Sequence, residues 1–551
     1  MRDEQKSSSP VKILKMPKKI ATYVFLPVVL TTLLLASLLL ARSGSEPRDK
    51  TRSPSRTPPR TEAVNQSSSN VDAALAEKID RAIDQSDKQQ ARWGVFVVSM
   101  KDGRVLYSRN GDRLFTPASN MKVYTTAVAL DLLGADYRWR TSVYAGKQPD
   151  ADGTIPGDIT LYGRGAPDLV STRKSSGASL AQIADQLYQS GVRHIQGNVI
   201  GDESYFRSEL YGLGWQWNDL QWYFGAEPSA LTIDENTFEV TISPASKTGG
   251  AASVVLNHDQ GFVRLQNETM TAEREAPTSV GINRSLSGND LKVWGDFPVG
   301  GRAFSAFLSV HNPALWAATL FKRALIARGI KVDGEVRSRD FRGLEKEKFD
   351  PEKALEIAHQ DSATLGEIAR RTNKESNNLF AELILRTLGK ERGAAAPDPD
   401  PRKNRTRGDD EAGTAVVMSW LERNGIPDSG MVIRDGSGLS RLNLVTPEAT
   451  ARLLVAVGKT SSATIFHDSL PVAGRDGTLG SRLKKTVGRI FAKTGTISYV
   501  HSLSGYTVAE NDEVLAFAIF CNDDTGRGNA VRLVDVIASL IASYPRPTDK
   551  K

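Results

Sequence analysis

Phe115-Thr116-Pro117-Ala118-Ser119-Asn120-Met121-Lys122 runs straight into residues 123–133, which are apolar on nearly every side until Gly134 stops them. Such a stretch predicts a turn leading into a helix that is buried all round. Ser119 stands at the helix start, and Lys122 is three residues on, so the two side chains share one face a turn apart. Burial disfavours the charged ammonium and lowers its pKa, which makes a neutral amine available as a base. The positive end of the helix dipole favours negative charge growing at Ser119. Spacing alone is weak evidence. Ser9/Lys12, Ser171/Lys174 and Ser481/Lys484 repeat it, but the first lies in a basic tail, the second in a polar turn, and the third has no buried helix after it.

Two distant motifs answer to the first. Ser376-Asn377-Asn378 opens an amphipathic helix after a polar turn, so a hydroxyl and an amide can point together into a cleft. The same residues also suit an ordinary helix N-cap. Ser68/Asn70 and Ser287/Asn289 match the pattern without that context. Lys493-Thr494-Gly495 ends one strand and precedes another. A lysine there supplies positive potential, Thr494 can bind a carboxylate, and Gly495 permits close backbone approach. The backbone N–H groups of Ser119 and Thr496 would then serve as oxyanion donors. A second Lys-Thr-Gly, at 247–249, lies in a flexible Ser/Ala/Gly turn and is set aside. Together these residues meet the needs of acyl transfer through a serine ester: a hydroxyl beside a base, a proton relay and oxyanion donors.

Further out, Asn70 is a plausible cap for a helix carrying Val71, Leu75, Ile79 and Ile83 on one face. A hairpin follows at 93–100 and 104–108. The chain closes with strands at 489–493, 502–508 and 514–520 and a helix at 529–544. These ends would complete one five-stranded antiparallel sheet with helices, an α+β domain built from sequence-distant halves, 70–136 and 346–545. Between them, 137–345 reads as an inserted, mainly β region of two subdomains, with one clear helix ending at Gly329. A proline-bearing stretch at 394–410 reads as a surface loop.

The formal charge of +7 does not belong to the body. Residues 1–60 carry 12 Lys or Arg against 4 Asp or Glu, leaving −1 for the remainder. A basic groove for nucleic acid is therefore not expected. The excess flanks an uncharged run at 20–41, long enough to span a bilayer. Lys12, Lys15, Lys18 and Lys19 before it place a tail, 1–19, in the cytoplasm and the body outside, anchored in the inner membrane. A cleaved signal segment would also export the body, to the periplasm. Residues 42–69, rich in Ser, Pro, Arg and Thr, read as a disordered linker, and 546–551 as a tail. The single cysteine, Cys521, and six scattered histidines give no metal-ligand spacing, so no metal and no cofactor is expected.

In this order the three motifs resemble the penicillin-recognising serine enzymes. The runs Asn373-Lys374-Glu375-Ser376-Asn377-Asn378-Leu379-Phe380-Ala381-Glu382, Asp435-Gly436-Ser437-Gly438-Leu439-Ser440 and Leu470-Pro471-Val472-Ala473-Gly474 narrow the resemblance to the class C low-molecular-mass penicillin-binding proteins. So does Gly201-Asp202-Glu203-Ser204-Tyr205-Phe206 in the insert. The resemblance implies the β-lactamase/transpeptidase-like fold and a D-Ala-D-Ala carboxypeptidase, or D-Ala endopeptidase, acting on peptidoglycan peptides and inhibited by β-lactam antibiotics. It assigns catalysis to Ser119, Lys122, Ser376, Asn378 and Lys493, with Ser376 bridging the two lysines. Substrate binding falls to Thr494, Gly495 and Thr496. A serine β-lactamase shares the motifs but lacks room for the insert, and a non-catalytic peptidoglycan-binding scaffold would be expected to have lost one of the five. Tyr499 departs from the pattern, which expects a smaller residue there.

Overall fold

Strand β1, Arg92–Ser99, is buried along almost its whole length because it lies inside a sheet covered on both faces. The computed structural model describes residues 66–172, 178–257, 261–343, 349–394, 407–526 and 530–544, with side chains from residue 72. The expected tail 1–19, the apolar run 20–41, nearly all of the linker 42–69 and the tail 546–551 lie outside these, as does most of the 394–410 loop. Among the described residues no helix is long and apolar enough to cross a membrane.

With β1 go β2 (Val105–Arg109), β3 (Ile490–Ile497), β4 (Val500–Val508) and β5 (Val514–Asn522). Their order is β3-β4-β5-β1-β2, all antiparallel, so the last strands of the chain pair with the first. The two-residue alternation of each strand sorts side chains into two cores. Val95, Val97, Phe517 and Ile519 face one cluster, shared with helices α1 (Gln66–Asp84) and, at the far end of the chain, Val531–Ala542. Phe96, Val98, Ala516, Ala518 and Phe520 face the other, shared with α2 (Met121–Leu133) and, beyond the insert, α3 (Leu365–Lys374) and α4 (Asn378–Arg392). As the apolar run predicted, α2 is buried from Met121 through Leu130, and Gly134 follows it at φ +87°.

Three expectations change. Helix α1 starts at Gln66, inside the expected linker. Once Leu75, Ile79 and Ile83 are buried, extending a docked helix backward adds one hydrogen bond per residue fixed. The insert also runs past 345. Strand Leu355–Asp361 pairs antiparallel with Arg140–Ala145, so the inserted region closes beside the point where it opened. That pair belongs to a mixed five-stranded sheet with Ile159–Tyr162, Val199–Asp202 and Val336–Arg339, and three three-stranded sheets accompany it. Finally, the insert holds a second long helix, Leu180–Gln189, capped by the Ser179 hydroxyl and packed on Pro313–Arg328. Most of its buried apolar residues form one cluster from Val143 to Ala358, with Phe206 and Ala230 in a smaller one against Leu379 and Leu383 of α4.

Candidate active site

Ser119 sits in a single 3-10 turn, Ala118–Asn120, that feeds α2. Ala118 enters the turn at φ +49°, a left-handed conformation that costs a non-glycine residue on the order of 1–3 kcal/mol and persists only where neighbours over-determine it. They do so here. The Asn120 carboxamide donates to Lys493 O at 3.1 Å and to Ser502 Oγ at 2.7 Å, while Ser502 Oγ donates to Pro117 O at 2.7 Å. Strands β3 and β4 thus clamp the turn from below.

Lys122 is fully buried, yet its Nζ lies 3.0 Å from Ser119 Oγ, 2.6 Å from Asn378 Oδ1 and 2.7 Å from Ser437 O. Burial brings its pKa from 10.5 down to about 7, against the opposing pull of Asp435 and Glu382. Ser119 itself is only partly buried, so a concealed amine lies against a reachable hydroxyl. Lys493, also buried, donates from Nζ to Ser376 Oγ and Thr494 O, both at 2.9 Å. Burial first, and the neighbouring Lys122 second, hold its pKa well below 10.5.

The second motif resolves between its two readings. Asn377 caps α4, its side chain accepting from Phe380 N at 3.1 Å. Ser376, at φ +61°, is released from that duty and meets Lys493. The expected bridge between the lysines is only half formed. The three hydrogen-bonding positions of Lys122 Nζ are taken by Ser119, Asn378 and Ser437, so Asn378 rather than Ser376 completes that side. The other end of the Asn378 carboxamide donates to Phe224 O, in the insert, at 2.8 Å.

On β3, Thr494 Oγ1 donates to Thr478 Oγ1 at 2.7 Å, and Thr496 is exposed. The amide of Ala492 donates to Pro471 O, away from β4. Because amides alternate along a strand, that of Thr496 also faces away from β4, beside Ser119. Gly495 lies between them. A Cβ there would stand 2.2 Å from Ser502 Oγ and 3.0 Å from Ser119 N, so no larger residue fits this approach.

Sequence reasoning singled out Glu382 and Asp435–Ser440 only for their resemblance and gave them no role, yet they form the layer that supports Lys122. Glu382, fully buried on α4, accepts from Gly436 N at 3.0 Å and Ser437 N at 2.8 Å, and pairs with buried Arg386 at 2.8 Å. Asp435 accepts from Gly438 N, Ser440 N and Asn443 Nδ2, and from Trp215 Nε1 of the insert at 2.9 Å. These contacts aim the Ser437 carbonyl at Lys122. The signal available was an acid and a base, Glu382 and Arg386, four apart inside an apolar helix. Among the described residues no group of three or more His, Cys, Asp or Glu is placed to hold a metal ion.

A lysine buried against a serine at a helix start, a second lysine–serine pair facing it and an edge strand with outward amides define a serine acyl-enzyme of the penicillin-recognising class. Within that class the chain belongs to the D-Ala-D-Ala carboxypeptidase 3 (S13) family, whose model matches residues 75–541. It is 35% identical over 483 residues to a D-alanyl-D-alanine carboxypeptidase of Actinomadura sp., covering 85% of each chain. Its fold is similar to the crystal structure of penicillin binding protein 4 from Haemophilus influenzae, with TM-score 0.70 and 25% identity over 84% of this chain and 98% of that one. The same Haemophilus protein complexed with a β-lactam gives TM-score 0.66 at 22% identity, over 84% and 98%.

Proposed function

We propose that this serine D-Ala-D-Ala carboxypeptidase uses Ser119 as nucleophile and the neutral amine of Lys122 as the base that activates it. The observation that carries the reading is the 3.0 Å contact between Lys122 Nζ and Ser119 Oγ, made by a lysine whose burial brings its pKa to about 7. Lys122 takes the hydroxyl proton as Ser119 attacks the carbonyl of the terminal D-Ala-D-Ala bond of a peptidoglycan stem peptide. The amides of Ser119 and Thr496 receive the developing oxyanion, where fixed donors cost no reorganisation. Lys493 holds positive potential for the terminal carboxylate beside Thr494 and Thr496, and Ser376, hydrogen-bonded to Lys493, returns a proton to the leaving amine. Asn378 orients the substrate amide. Water then hydrolyses the ester, and a β-lactam stalls the enzyme at that stage. D-alanine release from a purified pentapeptide muropeptide tests the activity, and Ser119→Ala should abolish it; persistence of release would refute the assignment.

The basic-flanked apolar run at 20–41 supports a body held at the outer face of the cytoplasmic membrane, where its substrate lies. An alkaline phosphatase fusion after residue 70 should be active; an inactive, stable fusion would argue against export.

A further inference from the structure

The orientation of the Asn378 carboxamide is set from the insert. Its Nδ2 donates to Phe224 O at 2.8 Å, and its Oδ1 lies 2.6 Å from Lys122 Nζ. A carbonyl receives only the N–H end of an amide, so Phe224 decides that the oxygen end faces Lys122. The choice matters to a base. A neutral lysine amine has two N–H bonds and one lone pair. Asn378 Oδ1 and Ser437 O, at 2.6 and 2.7 Å, are acceptors and take the two N–H bonds. The lone pair is left for the proton of Ser119, whose Oγ is 3.0 Å away. A carboxamide turned the other way would offer an N–H to that same lone pair.

Phe224 lies in a 3-10 turn, Tyr223–Gly225, and among the described residues 203–233 no other helix or strand is formed. A buried carboxylate three residues on does the holding. Glu227, its side chain 2% exposed, accepts from the Tyr211 hydroxyl at 2.8 Å and from Asn312 N at 3.1 Å, and its Oε1 lies 2.7 Å from His311 Nδ1. Its own carbonyl accepts from Asn236 Nδ2 at 2.9 Å. Asn312 caps the helix Pro313–Arg328, so Glu227 ties the stretch to the end of a packed helix. Tyr211 and Glu227 also clasp the stretch at both ends. Between them lie Leu213, Trp215 and Phe224, which meet Ser440, Asp435 and Asn378. The middle rests on the insert, where Leu220 O accepts from Arg284 at 3.1 Å and Gln221 O from Ser309 N at 2.9 Å.

We propose that Glu227 is a positioning residue for acylation: by seating the stretch that carries Phe224, it fixes the Asn378 carboxamide and so directs the lone pair of Lys122 at Ser119. This rests on the reading of Lys122 as the base. Glu227 acts through these neighbours and not on the substrate. A carboxylate that only stabilised the insert would change the fraction of folded enzyme and leave the rate of each folded molecule as it was.

The test is a double-mutant cycle on the full-length chain. Glu227→Ala, Glu227→Gln, Tyr211→Phe and Asn378→Ala are compared with Glu227→Ala/Asn378→Ala and Tyr211→Phe/Asn378→Ala. The readout is the rate of acylation by fluorescent penicillin across pH, with active molecules counted from the final extent of labelling. Glu227→Ala should acylate about tenfold more slowly, the worth of one buried hydrogen-bonded hold. Glu227→Gln, which keeps an acceptor for Tyr211 and His311, should recover part of the loss. Tyr211→Phe should lose about threefold. In the Asn378→Ala background the same changes should cost less than about twofold, because residues that act through one another do not add. The acid limb of the Glu227→Ala profile should move to lower pH, since an oxygen held against Lys122 favours its charged form. Losses that persist in full without Asn378, an unmoved acid limb, or Glu227→Ala or Asn378→Ala acylating as fast as wild type would overturn the proposal. If Glu227→Ala does not fold, Tyr211→Phe, which removes a single oxygen, decides by the same cycle. Wild type that fails to label, or Lys122→Ala that labels as fast as wild type, would instead defeat the proposed function.

Discussion

Lys122 is buried with three oxygen partners, and under the proposed mechanism its environment sets the pH at which the enzyme works. With a pKa of about 7, the amine is protonated and inactive as a base below neutrality and becomes neutral above it. The acylation rate should therefore rise with pH through about 7 and level off above it, measured by stopped-flow labelling with fluorescent penicillin. Lys122→Ala should lower the plateau by on the order of 10²–10⁴-fold, the usual worth of a positioned general base. Sequence spacing was enough to pair Ser119 with Lys122, because a helix fixes what lies one turn apart. It could not tell that Asn378 rather than Ser376 would take the remaining face of Lys122. That depends on the left-handed turn at Ser376 and on the Asn377 cap, neither of which leaves a periodic trace.

Helix α4 carries both the second motif and the acid that shapes the loop over Lys122. Glu382 and Arg386 are buried together, with side chains 1% and 0% exposed. Removing one partner of such a pair leaves an uncompensated charge and typically costs about 3–5 kcal/mol. Glu382→Ala should accordingly lower the midpoint of thermal unfolding clearly below wild type, as scanning calorimetry would register. Glu382→Gln keeps acceptor capacity for Gly436 and Ser437 but deletes a charge that raises the Lys122 pKa. Its pH–acylation profile should move to lower pH, and a move to higher pH would contradict the electrostatic account. At this scale the sequence was informative where periodicity was strong. The buried α2, the strands of the five-stranded sheet and Pro313–Arg328 were all legible. Leu180–Gln189 and Leu355–Asp361 were not, since each is short, flanked by polar turns and stabilised by packing between distant segments.

Across the whole molecule, the insert forms one wall of the active site. Trp215 Nε1 donates to Asp435 at 2.9 Å, Leu213 O accepts from Ser440 Oγ at 2.6 Å, and Phe224 O accepts from Asn378 at 2.8 Å. Trp215→Phe keeps the aromatic bulk but leaves Asp435 one donor short, a loss of about 1–3 kcal/mol. Its acylation should slow while its far-ultraviolet circular dichroism stays that of wild type. The family resemblance carried by the motifs foretold an insert, but not which of its residues would reach the cleft. Such reach is decided by loop paths between sheets.

The account stands or falls on where a penicillin becomes attached. Peptide mapping by mass spectrometry after incubation with benzylpenicillin should find one acyl adduct, on the peptide bearing Ser119, and none after Ser119→Ala. An adduct on a different residue, or one that survives the substitution, would contradict it.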